Sequence, residues 1–386
     1  MLKNLSRLKL GMIGGGPGSF IGAIHRIAAR IDHQYDLVGG AFSSSAEKSL
    51  ETGKELGLDE SRIYPSYQEL LLKEKEKPAS ERIQVIAIVT PNHVHFEPAK
   101  MALENGFHVI LDKPMTLTLA EAIALKEIQE KTGNLLCLTH TYTGYPMVKE
   151  AKQQVLAGNL GKIRKVYVEY PQGWLSTEVQ NKQADWRTDP SKSGVAGAMG
   201  DIGTHAFNLA EYVSGLSVQK LCADINIVIA NRKLDDDGAV LLKFDNGASG
   251  VLIATQVAAG EENNVKIRVY GEKGGLEWQQ VDANTLTLKW LDAPAQTLRA
   301  GNGYLSSFAQ HNTRTPSGHP EGYLEAFANI YRNFAEHILA VQNKVKPKKE
   351  SLDYPSIVDG VRGMAFIETV IASGKSEKKW LDLNEN

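Results

Sequence analysis

The stretch GMIGGGPGSFIG, residues 11–22, joins an apolar run to an amphipathic one, and its reading decides the fold. Before it, LKLGMIG has the length and character of a buried strand; after it, Ile24, Ile27, Ala28 and Ile31 recur at helical spacing. A glycine-rich turn between a strand and a helix lets the backbone approach a pyrophosphate, which then rests on the helix N-terminus. Gly14, Gly16 and Gly22 suit that role. Position 19 is Ser19 where strict G-x-G-x-x-G spacing needs glycine, so the loop is about three residues longer than usual.

Working outward, YDLVGGAF, QVIAIVT, FHVILD and LLCLTH continue the strand series, with helical patterns such as LAEAIALKEIQEKTG between them. That alternation predicts a doubly wound parallel sheet covered by crossover helices. Beyond residue 145 the texture changes to a helix, PMVKEAKQQVLAGNLG, and then to the strands IRKVYVEYP, LCADINIVI, AVLLKF, SGVLIATQVA, VKIRVYG, GGLEWQQ and LTLKWL. The turns FDNGAS and GEKGG carry hairpin signals. A helix is expected over 201–213, a long polar loop over 300–322, and two closing helices after it. The expected fold class is α/β: an N-terminal Rossmann dinucleotide-binding domain over 1–142, and over 143–386 an α+β domain with an open, mostly antiparallel sheet. The C-terminal helix is expected to return to the first domain.

With 386 residues, two domains each have enough chain for a core. The formal net charge is −2 and the Lys and Arg residues are dispersed, so there is no basic stripe for a phosphate backbone and nucleic acid is not an expected partner. Apolar runs are far shorter than the roughly 20 residues of a spanning helix. The N-terminal MLKNLSRLKLGMIGGG runs into strand and loop rather than a signal-peptide core, and a cytoplasmic protein is expected. Cys137 and Cys222 lie in strand-like apolar segments, the setting of buried structural thiols.

The end of the second strand often carries an acidic residue that bonds the adenosine ribose. Here Ser43 and Ser44 occupy that zone with Lys48 nearby, so NAD or NADP is expected, with a lean to NAD. Later, GAMGDIGTHAFNLAEYVSG, residues 197–215, places Asp201 and His205 four apart at a helix start, where they share one face. Asp201 also suits a helix cap, and His205 a core position. A zinc site from Asp201, His205 and His93 or His95 lacks supporting ligand spacing, and no metal is expected.

Three segments extend the pattern: VTPNHVH after QVIAIVT, LDKP closing FHVILD, and GDIGTH. In this order the chain resembles, over nearly its whole length, the Gfo/Idh/MocA family, the glucose-fructose oxidoreductase and inositol dehydrogenase group. The resemblance implies catalytic roles for Lys113, Asp201 and His205, and places Thr90, Pro91, Asn92 and His95 along the cofactor. Asp112 stands where the family more often has Glu. The resemblance further implies a sugar, anhydrosugar, glycoside or cyclitol as substrate and a homodimer or homotetramer. It leaves open a redox-assisted glycoside hydrolase and a non-catalytic NAD(P) or sugar sensor.

The chemistry agrees with that assignment. Oxidising a secondary alcohol sends a hydride to the nicotinamide and a proton to a base, and histidine titrates near neutrality. His205 suits the base, Asp201 an orienting partner, and Lys113 a hydrogen bond to the reacting oxygen; Lys113 and His205 both stay open as the formal base. The region EYPQGWLSTEVQNKQADWRTDPSKSGVAGAMGD offers Trp174 and Trp186 as stacking faces and Gln172, Lys182, Asp185 and Arg187 as hydroxyl partners. Tyr142 and Tyr145 in THTYTGYP are further candidates, and His319 fits a surface loop.

Overall fold

The computed structural model describes residues 7–179 and 181–385 and divides into two compact units. The first comprises the chain through Thr116, Ala120–Thr139 and Phe327–Gly360; the second comprises Leu117–Leu119, His140–Ala326 and the chain from Val361.

In the first unit, β1 (Leu8–Gly14), β2 (Tyr35–Ala41), β3 (Val85–Val89), β4 (His108–Leu111) and β5 (Leu136–Leu138) form a parallel sheet in the order β2-β1-β3-β4-β5. All five residues of β3 are buried, as a parallel strand covered on both faces requires. The strand order reverses direction beside β1, the topological position at which such sheets bind ligands. Ser19 begins the Phe20–Ile31 helix by accepting a hydrogen bond from the Gly22 amide at 3.2 Å. The returning 327–360 segment joins this core: the Tyr331 hydroxyl meets His25 Nδ1 at 2.7 Å, and Tyr35 donates to the Tyr331 carbonyl at 2.9 Å. Cys137 is fully buried in β5.

In the second unit, β6 (Lys165–Pro171), β7 (Val218–Asn226), β8 (Asp237–Phe244), β9 (Ser249–Thr255), β10 (Lys266–Tyr270), β11 (Gly274–Gln279), β12 (Thr285–Trp290), β13 (Gln296–Arg299) and β14 (Trp380–Asp382) form one sheet. Its order is β13-β12-β11-β10-β6-β9-β8-β7-β14, with only the β6–β9 pair parallel among the described residues. Strand β8 shows why one face is covered: Gly238, Val240, Leu242 and Phe244 are buried, while Ala239, Leu241 and Lys243 are exposed. The Asn-Gly turn after β8 forms as its sequence predicts, with Gly247 at φ 87°. The helices Pro146–Leu156 and Thr204–Ser214 pack together on the covered side, the second against β6.

The expected α/β architecture is present, with two strands more than the sequence pattern predicts. Strand β13 is short, polar and mostly exposed, and β14 has three residues beside β7, so neither carries an apolar alternation. The 300–322 stretch is also more ordered than a loop. It contains the helix Ser307–His311, and buried Glu321 accepts from the Arg314 and Thr315 amides, the latter at 2.6 Å. Among the described residues, no helix is long and apolar enough to cross a membrane.

Candidate active site

The first unit provides a shaped backbone cradle. Gly14 and Gly15 have φ of 86° and 78°, which side-chain-bearing residues rarely adopt. A Cβ on Gly16 would fall 2.6 Å from the Phe42 carbonyl oxygen, and one on Gly22 would fall 2.5 Å from Gly15 Cα. The loop therefore folds close against both the helix and the end of β2. Arg26 holds it there by donating to the Gly15 carbonyl at 2.9 Å. These tight approaches and the amides of the Phe20–Ile31 N-terminus fit a dinucleotide pyrophosphate. Past β2, Phe42 is buried, the half-buried Ser43 accepts from the Ser45 amide at 3.2 Å, and Ser44 and Lys48 are exposed.

The other predicted cofactor residues extend the same sheet edge, because parallel strands deliver their C-terminal ends together. Thr90, Pro91 and the buried Asn92 follow β3, while Asp112 and Lys113 follow β4. Thr90 lies against Gly14, where a Cβ would meet its methyl carbon at 2.9 Å, and its hydroxyl donates to the Val94 carbonyl at 3.0 Å. Asp112 Oδ1 accepts from the Lys113 amide at 2.9 Å and the Thr139 hydroxyl at 2.8 Å, tying the ends of β4 and β5. Lys113 is half-buried.

His95 has a different setting. It is fully buried, and its two ring nitrogens lie 2.8 Å from the carbonyl oxygens of Pro114 and Thr90. Burial lowers its pKa, against the pull of Asp112 and both carbonyls. The ring thus braces the Thr90 turn against the Lys113–Pro114 turn from behind.

The second unit holds Asp201 and His205. Asp201 lies in a π-helical turn, Met199–Gly203, that leads into the Thr204–Ser214 helix, where the sequence pattern predicts one continuous helix. The reason is Asp235, 34 positions downstream of Asp201. Its carboxylate accepts from the Gly197 and Met199 amides at 2.6 and 2.7 Å, and its carbonyl accepts from the Ala198 amide at 2.8 Å. A Cβ on Gly197 would lie 2.1 Å from that carbonyl oxygen. Asp235 therefore fills the capping role at this helix start, and Asp201 is left for side-chain partners.

Those partners are Arg187 Nε at 3.0 Å and Gln256 Nε2 at 2.9 Å, both on Asp201 Oδ2. Arg187 is steered by the Trp186 ring, 4.2 Å from its guanidinium carbon, and by the Trp174 ring at 5.9 Å. His205 is buried within a ring cage: His140 and Tyr142 stand edge-on at centroid distances of 5.3 and 5.0 Å, and Tyr170 is tilted at 6.3 Å. The Tyr142 and Tyr170 hydroxyls bond each other. From them a hydrogen-bond run continues through Asn263 to Gln172 and the Trp174 indole, with Tyr170 to Asn263 at 2.7 Å and Trp174 to Gln172 at 3.0 Å. Burial raises the pKa of both phenols, which stay protonated donors through the neutral range.

The structure thus brings Tyr142, Gln172, Trp174, Trp186, Arg187, Asp201 and His205 into linked contacts within this unit. Asp185 and His319 are exposed, and the side chain of Lys182 lies outside the described part. His140, Tyr170, Asp235, Gln256 and Asn263 are site residues that the sequence reading did not single out. Tyr170 is the last buried residue of an alternating strand, which marked it only as core. No group of three or more His, Cys, Asp or Glu side chains is placed to hold a metal ion among the described residues.

Comparison with known proteins agrees with the resemblance drawn from the motifs. Residues 8–140 match the oxidoreductase family with an NAD-binding Rossmann fold, and residues 148–277 match the GFO/IDH/MocA C-terminal domain. The uncharacterized oxidoreductase YfiI of Bacillus subtilis is 33% identical over 97% of this chain and 96% of its own. A crystal structure of an oxidoreductase from Sinorhizobium meliloti is 44% identical with a TM-score of 0.88, covering 98% of this chain and 100% of that one. An inositol dehydrogenase homolog from Azotobacter vinelandii, complexed with NADH and myo-inositol, is 33% identical with a TM-score of 0.90, covering 98% of both chains. The cradle, the paired domains and these relatives together establish that the chain belongs to the GFO/IDH/MocA oxidoreductase family, with an NAD-binding Rossmann domain.

Proposed function

We propose that the protein, a dehydrogenase of CH–OH groups, oxidises a secondary hydroxyl of an unphosphorylated sugar, anhydrosugar, glycoside or cyclitol with NAD. The observation that carries this reading is the polar lining around His205: the run Tyr142–Tyr170–Asn263–Gln172–Trp174 on one side and Arg187 and Gln256 on Asp201. Interleaved donors and acceptors beside aromatic faces suit a polyol, each of whose hydroxyls both donates and accepts. Arg187, the guanidinium of this cluster, is already paired with Asp201, which favours a neutral ring over a phosphorylated one.

When bound, the nicotinamide supplies the hydride acceptor. The chain manages the proton and the position: His205 takes the hydroxyl proton, Asp201 orients a neighbouring substrate hydroxyl or the imidazole, and Lys113 hydrogen-bonds the reacting oxygen. NAD is favoured over NADP because residues 8–140 match an NAD-binding Rossmann family and a structural relative is complexed with NADH, while Ser43 and Ser44, just past β2, accommodate a bare ribose. The exposed sheet face bearing Leu241 and Ile253 suits self-association as a homodimer or homotetramer.

The test is to offer the purified protein NAD and NADP separately with cyclitols, anhydrosugars, glycosides and free sugars, following reduced-nicotinamide absorbance. Growth with NAD and a particular polyol supports the reading. Growth with NADP alone overturns the cofactor assignment, and silence with every polyol overturns the substrate class.

A further inference from the structure

His140 meets His205 with the two Nδ1 atoms 3.5 Å apart and the ring planes at 86°. Both imidazoles are buried. Two neutral imidazoles meeting nitrogen to nitrogen need one proton between them, so one Nδ1 donates and the other accepts. The direction of that bond governs the chemistry. With His205 as acceptor, its own proton sits on Nε2, and no lone pair remains there. With His205 as donor, Nε2 carries the lone pair that a base needs.

We infer that His140 is the positioning residue for His205: it accepts a hydrogen bond from His205 Nδ1 and so fixes the tautomer whose Nε2 receives the substrate hydroxyl proton. The inference rests on the reading of His205 as the base. Its bonds balance. As the substrate O–H breaks, His205 Nε2–H forms, and the new positive charge is shared across Nδ1–H···Nδ1. Moving that proton on breaks His205 Nδ1–H and forms His140 Nδ1–H, leaving His205 neutral with its proton on Nε2.

The surroundings support this division of labour. Tyr142 and Tyr170, which also face His205, hold their protons because burial raises both phenols. Asp201, four residues before His205, is engaged by Arg187 and Gln256. On the adjacent Pro146–Leu156 helix, Lys149 donates to the Tyr212 hydroxyl. His140 is itself anchored, its carbonyl accepting from the Thr143 amide at 3.2 Å and the Thr143 hydroxyl at 2.9 Å.

Two variants separate this role from packing. H140N places an amide oxygen near the position of Nδ1, keeping an acceptor that cannot take up a proton. H140F keeps ring bulk without an acceptor. Long-range proton–nitrogen correlation spectra of histidine-labelled protein are expected to show His205 protonated at Nδ1 in the wild type and H140N, but not in H140F. In turnover, kcat is expected to fall about tenfold in H140N and about a hundredfold in H140F, with KM within about twofold. The acid limb of the H140F profile is expected to move to lower pH, because the imidazolium loses its acceptor. His205 protonated at Nε2 in the wild type overturns the inference, as does an H140F variant with unchanged kcat and pH profile. Should H140F not fold, the wild-type and H140N spectra decide. If the protein oxidises no polyol, the function reading fails by itself, while the spectra still decide the His140 contact.

Discussion

Arg187 donates through Nε to Asp201 Oδ2 at 3.0 Å, and the pair is largely sheltered, with side-chain exposures of 23% and 13%. The bond joins the Trp-flanked segment to the π-helical turn that leads into the Thr204–Ser214 helix. A charge-assisted bond of this kind contributes roughly 1.5–3 kcal/mol, equivalent to about ten- to a hundredfold in a rate or binding constant. Arg187→Ala should lower kcat/KM by that factor. Gln256→Ala, which removes a neutral donor from the same oxygen, should cost less. Steady-state kinetics on both variants checks the ranking; equal effects would remove the special weight placed on the guanidinium.

The cradle makes a prediction that concerns the cofactor alone. Gly22→Ala drives a methyl group toward Gly15 Cα at 2.5 Å, so the loop must shift away from the helix. NAD affinity, measured by calorimetric titration, should weaken at least about tenfold. Leu72→Ala, at a half-exposed position of the Tyr67–Glu76 helix, is the control and should leave affinity unchanged. A Gly22→Ala protein that binds NAD as the wild type does would show that the loop does not carry the pyrophosphate.

Stability of the first unit depends on one buried carboxylate. Glu74 has no exposed side-chain surface and is met by Arg62 at 3.0 and 2.6 Å, the Tyr64 hydroxyl at 2.7 Å and the Ile83 amide at 3.1 Å. Removing Glu74 takes the carboxylate from Arg62 and the acceptor from the buried Tyr64 hydroxyl and Ile83 amide, at a cost of about 3–5 kcal/mol. Glu74→Ala should therefore lower the urea midpoint sharply, and Glu74→Gln less so. A loss below about 0.5 kcal/mol would contradict this.

Histidines whose pKa burial lowers, His25 and His108 among them, set an acid limit on stability. Burial lowers the pKa of His25 to about 4 and of His108 to about 4, and His108 Nδ1 accepts the Leu135 amide at 3.0 Å, a bond that protonation there would break. Unfolded histidine titrates near 6.5, so between about pH 6.5 and 4 the unfolded chain binds more protons than the native one. Their stabilising contribution is complete above that window and is lost as pH falls through it. His108→Asn retains an acceptor for the Leu135 amide but does not titrate. Its unfolding free energy should fall less steeply with acid, by about one proton's worth of slope. Urea titrations at several pH values decide the matter; parallel pH curves would exclude His108 as a contributor.

What the sequence made legible was local. The β1-loop-helix unit announces itself because its glycines, strand and amphipathic helix lie within residues 8–31. The strands of the first sheet, and seven of the nine in the second, follow from short-range patterns in the same way. The parts that escaped depend on distant partners: Asp235 shapes the turn around Asp201 from well downstream, and His140 meets His205 across 65 residues. Strands β13 and β14 escaped because edge strands exposed to water need no apolar alternation. Asp201 and His205 were visible as a spaced pair, whereas the ring cage and the Arg187 contact are consequences of folding.

The most direct test of the central claim measures two products together: reduced nicotinamide and the oxidised polyol, in the wild type, Lys113→Ala and His205→Ala. The account predicts equal amounts of NADH and ketone from the wild type, and a loss of about a hundredfold or more in each variant. Glycoside cleavage with no accumulation of NADH would point instead to redox-assisted hydrolysis. Undiminished turnover in His205→Ala would contradict the assignment of the base.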